Sequence, residues 1–254
     1  MAITDLIDRP ANPNKPGVTN AKQATMLALL GNPRSDYTED CQEVTEPRLK
    51  PLMVLESVGP FRVRGLKPAV EGLRAIFAEV KSNFPKVHAG LGTAGMLCAR
   101  LVRGSTNSVS NHSWGTAVDL TLDSVLDRRG DNKVQIGLRD IAPIFNKHGW
   151  YWGAAFGTED AMHFEASDEL IRKWIKDGLF GTAVKLPEAV LTVGDRGDEV
   201  RAVQEALNKF GAGLEVDGKF GTSTQMALLV FQGMQGIPTD GAVTSKTRRA
   251  LGFA

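Results

Sequence analysis

The sequence has few cysteines, no strong excess of charge and no long apolar run, and each shortage excludes a class of function. Its two cysteines, Cys41 and Cys98, have neither metal-type spacing nor the pattern of a disulfide framework. We therefore expect both to be reduced, buried, small apolar side chains. The formal net charge is only +1. Because there is no basic excess and no polybasic run, neither nucleic acid nor a membrane surface is an expected partner.

The beginning of the sequence and its apolar segments bear on location. Residues 1–10 are acidic and contain a proline, which is not the pattern of a signal peptide. The longest early apolar run, Ala24 to Leu30, is far too short to span a bilayer. The sequence therefore predicts a protein that stays in the cytoplasm until something else releases it.

Apolar periodicity indicates a mixed first part of the chain. Residues 1–60, rich in Pro, Asn and charge, are expected to wrap around the first domain. Helical spacing predicts helices around Ala21–Leu30, from Pro68 to before Pro85, over 134–148, and from the capping residue Ser167 to about Lys176. Strands are predicted over Ala94–Val102 and Trp150–Trp152.

An internal repeat marks the second part of the chain. Each copy has Asp-Gly followed after the same interval by Ala-Leu, at 217–218 with 227–228 and at 240–241 with 250–251. Each copy is predicted to be a turn leading into a helix, with Thr222 capping the first. With a helix from Asp198 to Phe210, these make a three-helix module. It contains no His and no Cys, so we expect no metal centre there.

Two short segments carry the candidate catalytic residues. The first is Ser110-Asn-His112-Ser-Trp-Gly115-Thr-Ala-Val-Asp119, and the second is Asp160-Ala-Met-His163. They supply two imidazoles and a carboxylate as ligands, plus a spare carboxylate, which is the composition of a catalytic zinc site with one open position. Strand alternation predicts that Asp119 and His163 project from one face of an antiparallel sheet.

Four further polar residues have less specific patterns. His88, in a predicted loop rich in Ala and Gly, and His148, at a predicted helix end, are expected to be structural. Strand alternation places Glu165 near the metal. There it would contact either the outer side of a metal-binding side chain or the substrate. Ser110 either orients a ligand, contacts substrate or caps its loop.

The pattern Ser-x-His-x6-Asp, followed by Asp-x-x-His, resembles the zinc D-Ala-D-Ala carboxypeptidase family. This family includes the VanY-type carboxypeptidases and the L-alanyl-D-glutamate endopeptidases of phage lysins, and it shares its fold with the hedgehog signalling domain. The resemblance covers roughly residues 20–178. It implies an α+β fold with a small antiparallel sheet and flanking helices, and one Zn²⁺ bound by His112, Asp119 and His163.

The same resemblance implies further catalytic groups. Asp160 would be the general base; many relatives have the longer Glu there, so the reach of Asp160 is an open question, and Glu159 is the alternative one residue away. An upstream arginine would stabilise the developing oxyanion, because its fixed charge and forked donors suit that task. Its position before Gly104 favours Arg100, with Arg103 as the alternative.

The second part resembles a peptidoglycan-binding domain of the common three-helix type. The similarity runs over residues 191–251, through Leu191-Thr-Val-Gly194-Asp-Arg-Gly197, Val216-Asp-Gly-Lys-Phe-Gly221 and Phe231-Gln232. It implies attachment to the bacterial wall. A helical bundle that serves only dimerisation or stability is the alternative.

Together the two resemblances imply a zinc peptidase that binds and cleaves peptidoglycan, and we expect it to be a monomer. The expected arrangement is a catalytic domain at 1–178, a linker at 179–190 and a binding domain at 191–254. The expected role is that of a phage or prophage endolysin, released to the wall from the host cytoplasm. The alternatives are a D-alanyl-D-alanine carboxypeptidase of wall remodelling and a non-catalytic, zinc-stabilised wall-binding protein.

Overall fold

A computed structural model describes residues 1–180 and 190–253. The chain divides into two compact units, Met1–Val184 and Lys185–Ala254. The predicted linker at 179–190 therefore lies largely outside the described residues. Within those residues, every helix is too short or too polar to cross a membrane.

The first unit is α+β, as predicted, and is built from short strands and helices. In chain order its elements are β1 (Leu6–Asp8), α1 (Gln23–Leu30), β2 (Met53–Ser57), β3 (Arg62–Leu66), α2 (Lys67–Asn83), α3 (Pro85–Gly90), β4 (Leu91–Gly95), β5 (Ala117–Leu122), β6 (Val125–Leu126), β7 (Lys133–Gln135), α4 (Ile136–Lys147), β8 (Trp150–Trp152), β9 (His163–Ala166) and α5 (Asp168–Lys176). The hydroxyl of Ser167 accepts a hydrogen bond from the backbone N–H of Leu170, which confirms the predicted cap of α5.

An antiparallel sheet forms the centre of the first unit. Its strand order is β4-β5-β9-β8, and β6 pairs with β5. In the β5–β9 ladder, Asp119 lies opposite His163 and Val118 lies opposite Phe164. Since side chains alternate between the two faces of a strand, this register places the polar pair on one face and the apolar pair on the other.

Aromatic side chains pack against the face of β9 that is opposite to His163. Phe164 is fully buried, and its ring centroid lies 4.1 Å from that of Phe145 on α4 and 6.0 Å from that of Trp152 on β8. A one-residue slip of β9 would expose Phe164 and bury His163 in this apolar layer. The core therefore determines which face carries the imidazole.

The strand predicted over Ala94–Val102 is wrong in its position. The observed strand β4 ends at Gly95, and the following residues form only the bridges Gln42–Ala99 and Leu101–Val109 among the described residues. Pairing with β5 selects Leu91–Gly95 as the strand, despite its two glycines. His88 lies in helix α3 and not in a loop.

The prediction for the two cysteines is also wrong, because Cys41 and Cys98 form a disulfide. Their Cα atoms are 4.9 Å apart, and Cys41 is exposed rather than buried. The adjacent bridge, in which Gln42 and Ala99 exchange backbone hydrogen bonds of 3.1 and 3.0 Å, brings the two segments together. The expectation of two reduced, buried thiols is therefore wrong.

The N-terminal 60 residues pack on the core of the first unit. Strand β1 pairs with β7, and β2 with β3 forms a hairpin; the sequence did not predict either pairing. Met26, Leu30 and Leu49 are buried in the same core as the central sheet.

The second unit repeats one hydrogen-bond pattern twice. Its helices are α6 (Asp198–Lys209), α7 (Thr222–Met234) and α8 (Ser245–Leu251). The buried amide of Gln204 donates to Asp217 Oδ1 and accepts from Gly218 N–H, at 2.9 Å each. Gln232 makes the equivalent bonds to Asp240 Oδ1 at 2.8 Å and from Gly241 N–H at 3.0 Å. The repeat seen in the sequence is thus a repeat of structure.

The predicted cap of α7 is wrong. Thr222 is the first residue of the helix, and the capping position belongs to Gly221, which has no side chain to make the bond. In the second copy of the repeat, Thr244 does cap, since its hydroxyl accepts from the Thr247 backbone N–H.

Candidate metal centre

The turn that carries His112 depends on close backbone contact. His112 lies in a short 3₁₀ turn, Asn111–Trp114, which Gly115 ends in the left-handed conformation with φ 62°. A Cβ at this glycine would lie 2.8 Å from both Gly65 Cα and Leu66 N, too close for any side chain. Glycine is therefore required here both by its conformation and by the space available.

Three side chains meet at one point on the face of the sheet. His163 Nδ1 lies 3.0 Å from Asp119 Oδ1, and His112 Nε2 lies 3.2 Å from each of these two atoms. Ligands of a tetrahedral zinc at about 2.05 Å would be about 3.3 Å apart. The cluster could therefore hold a metal ion with little rearrangement.

The far side of each imidazole is also occupied. His112 Nδ1 lies 2.7 Å from the backbone oxygen of Met96. Because a carbonyl only accepts, Nδ1 carries the proton and Nε2 presents its lone pair to the cluster. His163 Nε2 lies 2.9 Å from Glu165 Oε2, which leaves Nδ1 to face the cluster. Outer hydrogen bonds of this kind orient metal-binding histidines.

Glu165 is buried and its carboxylate is fixed by other groups. It accepts hydrogen bonds from Asn111 Nδ2 at 2.8 Å and from the Ala21 backbone N–H at 3.0 Å. The residue therefore contacts a candidate ligand, His163, from behind, and the N-terminal segment contributes to that support.

The electrostatics of the cluster favour a cation. Burial raises the pKa of Asp119, but the two imidazoles outweigh burial and hold it far below its usual range. Burial lowers the pKa of His163, but hydrogen bonds to Asp119 and Glu165 outweigh this and raise it to about 10. The cluster thus favours positive charge, either as a proton on His163 or as a divalent ion between the three groups.

Asp160 lies in the same cleft, on the turn that leads into β9. The backbone N–H of His163 donates to its carbonyl oxygen at 3.2 Å, which sets the residue beside the cluster. Among the described residues, its buried Oδ1 has no hydrogen-bond partner. Burial is the largest cause of a raised pKa for this carboxyl group. A carboxylate with increased proton affinity and an unpaired oxygen is suited to accept a proton.

Glu159, the alternative to Asp160, has a different environment. Its side chain is 1% exposed and accepts backbone hydrogen bonds from Gly130, Asn132 and Ala161 at 3.0–3.1 Å. It does not line the cleft around the cluster. Its oxygens are occupied in holding the backbone.

Both candidate arginines line this cleft, which has a volume of about 560 Å³. Arg100 is partly buried, and burial, opposed by Asp119 and Asp160, lowers its pKa. Its Nη1 donates to the Leu101 carbonyl at 2.9 Å. Arg103 is exposed. The structure thus brings both guanidinium groups to the site, Arg100 at the more enclosed position.

Ser110 is buried at the start of the 3₁₀ turn, and it too lines the cleft. Its backbone N–H donates to Arg100 O at 3.0 Å, but its hydroxyl makes no capping bond. Its position therefore links the segment of Arg100 to that of His112 through the backbone.

Three contributors to the site were not predicted from the sequence. They are Asn111, which holds Glu165; Met96, whose carbonyl orients His112; and Arg129, whose Nε lies 3.4 Å from Asp160 Oδ2. Asn111 lies within the conspicuous motif and could have been considered. Met96 acts through its backbone, and Arg129 reaches the site through loop geometry, so neither had a sequence signal.

Comparison with known families agrees with this geometry. Residues 103–166 match the M15 peptidase family model described as D-alanyl-D-alanine carboxypeptidase, a range that includes His112, Asp119, Asp160 and His163 but not Arg100. Residues 196–251 match the model described as putative peptidoglycan binding domain. No curated protein and no solved structure matches the chain.

The match over residues 103–166, together with a cluster that could hold a metal ion, supports a metallopeptidase. The second match extends this to a metallopeptidase that acts on peptidoglycan, and both resemblances drawn from the sequence are confirmed over the matched ranges.

Proposed function

We propose that the chain is a zinc-dependent peptidoglycan endopeptidase of the endolysin type, which hydrolyses peptide bonds in stem peptides or cross-links. The observation that carries the proposal is the His112–Asp119–His163 cluster, whose three donor atoms lie 3.0–3.2 Å apart with both outer imidazole nitrogens already bonded. The peptidoglycan-binding match supports the choice of polymer.

His112, Asp119 and His163 would hold the zinc ion, which supplies Lewis-acid activation of water and polarises the peptide carbonyl. Asp160 takes a proton from the attacking water and returns it to the leaving amine. Arg100 stabilises the negative charge that develops on the carbonyl oxygen, with Arg103 as the alternative. Glu165 keeps the His163 ring in the orientation that binds metal.

A D-alanyl-D-alanine carboxypeptidase is the second candidate, because the matching family model carries that description. The two functions share the metal cluster and the base, and they differ in whether the cleft accepts a chain end or an internal bond. A non-catalytic, zinc-stabilised wall-binding protein is the third candidate, and the placement of Asp160 in the cleft argues against it.

Mass spectrometry of digested sacculi tests the proposal. New amino termini on D-glutamate or on diaminopimelate would support an endopeptidase, whereas released D-alanine alone would support the carboxypeptidase. His163→Ala serves as the control and should give none of these products. A wild-type chain that binds sacculi and releases no product would support the non-catalytic protein.

We also propose that the enzyme acts as a monomer and remains in the host cytoplasm until it is released to the wall. Light scattering of the purified protein tests the first point. Cell fractionation before and after lysis tests the second, and a chain recovered with the wall fraction throughout would contradict it.

A further inference from the structure

We propose that Arg129 forms a recognition site for a substrate carboxylate beside the bond that is hydrolysed. This inference rests on the proposed function and adds to it a feature of the substrate: a free carboxylate near the reacting carbonyl. It concerns the loop between β6 and β7, a part of the cleft wall distinct from the segment that carries Arg100.

The backbone next to Arg129 is held by a buried carboxylate. Glu159 Oε2 accepts hydrogen bonds from the backbone N–H of Gly130 at 3.0 Å and of Asn132 at 3.1 Å. Glu159 immediately precedes Asp160 in the chain, so this contact ties the loop of Arg129 to the segment of the proposed base. These hydrogen bonds thereby place Arg129 next to the proposed base, Asp160.

Both ends of the loop are fixed as well. The buried side chain of Asp127 accepts a hydrogen bond from the backbone N–H of Gln135 at 2.7 Å. The backbone carbonyl of Asn132 accepts a hydrogen bond from the backbone N–H of Arg9 at 3.0 Å. A backbone ordered before substrate arrives loses little conformational entropy on binding. The loop therefore presents Arg129 to the cleft in a preorganised position.

The guanidinium of Arg129 makes few contacts within the protein. Its side chain is 48% exposed, and Nε lies 3.4 Å from Asp160 Oδ2. Over residues 1–180 and 190–253, no hydrogen bond or second ion pair of this group is seen. A half-exposed pair at this distance adds little to stability. Arg129 lines the cleft, so its remaining N–H donors can bind a ligand there.

The chemistry of a guanidinium identifies the ligand. Its parallel donors match the two oxygens of a carboxylate, and such bonds are stronger than neutral ones. Stem peptides carry carboxylates on D-glutamate, on diaminopimelate and at the chain end. Since Arg129 and Asp160 are in contact, a carboxylate bound by Arg129 lies near the atoms that react. The cleft thus selects an anionic peptide.

Paired substrates test the site. Each pair consists of a stem peptide and the same peptide with one carboxylate converted to a carboxamide, and kcat/KM is measured for both. The wild type should prefer the acid in at least one pair by about ten- to hundredfold, the value of a hydrogen bond to a charged group. Arg129→Ala should lose most of this preference, and Arg129→Lys should retain part of it.

Arg128→Ala is the matched control, because its side chain is exposed and lies outside the cleft. It should keep the wild-type preference. If Arg129→Ala slows both members of every pair by the same factor, Arg129 does not recognise a carboxylate, and the inference is overturned. A wild type that cleaves no peptide contradicts the proposed function itself, and the recognition site with it.

Discussion

At the scale of single residues, the site depends on two imidazoles whose outer nitrogen atoms already have hydrogen-bond partners. His112 is oriented by the Met96 carbonyl, and His163 by Glu165, which is itself held by Asn111. The three candidate ligands and Asp160 could be predicted because they lie in two short motifs, each of them local in the sequence. Arg129 could not, since its approach to Asp160 depends on how the loop after β6 folds back.

Asp160→Asn should abolish hydrolysis of sacculi while zinc content and wall binding remain. The amide has nearly the same shape but cannot accept the proton, and general-base catalysis contributes about 10²–10⁴-fold. Product release and bound zinc are measured on the same preparation. A variant that still clears sacculi at the wild-type rate would show that another group is the base.

Asp127→Asn should change how the stability of the first unit depends on pH. Burial is the largest cause that raises the pKa of Asp127, to about 7, above the value of about 3.9 expected in the unfolded chain. The folded state therefore holds a proton that the unfolded state releases. This contribution to stability is complete below about pH 4 and is lost as the pH rises through 7.

The stability of the variant relative to that of wild type should accordingly rise between about pH 4 and pH 7, by at most about 1.4 kcal/mol for each pH unit, and level off above this range. Urea unfolding followed by tryptophan fluorescence measures this, because Trp114, Trp150, Trp152 and Trp174 all lie in the first unit. A difference between the two proteins that does not vary with pH would contradict the assignment.

At the scale of elements, strand register is what assembles the candidate ligands. Alternation in β5 and β9 could be predicted, and it correctly placed Asp119 and His163 on one face. Strand β4 was mispositioned because its Gly-rich sequence gains its conformation from pairing with β5. The disulfide was missed because its two halves, 57 residues apart in sequence, meet only through tertiary pairing.

Gln232→Ala should destabilise the second unit by about 2 kcal/mol. The buried amide donates to Asp240 Oδ1, the Ala242 carbonyl and Thr247 Oγ1, so its loss removes these bonds and leaves the Gly241 N–H without its acceptor. Faster hydrogen exchange of the Gly241 amide, which donates to Gln232 Oε1, is the measurement. Gln235→Ala, at an exposed position, is the control, and equal exchange in both variants would contradict the role of Gln232.

At the scale of the whole molecule, two units with separate cores are proposed to act on the same polymer. Attachment by one unit raises the concentration of the other at the wall without any contact between them. The two parts could be predicted from motifs that are local in each, since neither needs residues from the other.

A shortened chain, Met1–Val184, should keep the turnover of soluble stem peptides and lose binding to sacculi. Its rate on sacculi at low enzyme concentration should fall by about tenfold or more, because the effective-concentration advantage is gone. Pelleting with sacculi and parallel rate measurements check this. Undiminished binding by the shortened chain would contradict the anchoring role of the second unit.

The most direct test of the account is zinc reconstitution of the metal-stripped protein, with the release of new amino termini from sacculi as the readout. Stripping should abolish release, and one equivalent of Zn²⁺ per chain should restore it in the wild type but not in His163→Ala. Unchanged release after complete removal of metal would contradict the claim that His112, Asp119 and His163 hold the ion on which hydrolysis depends.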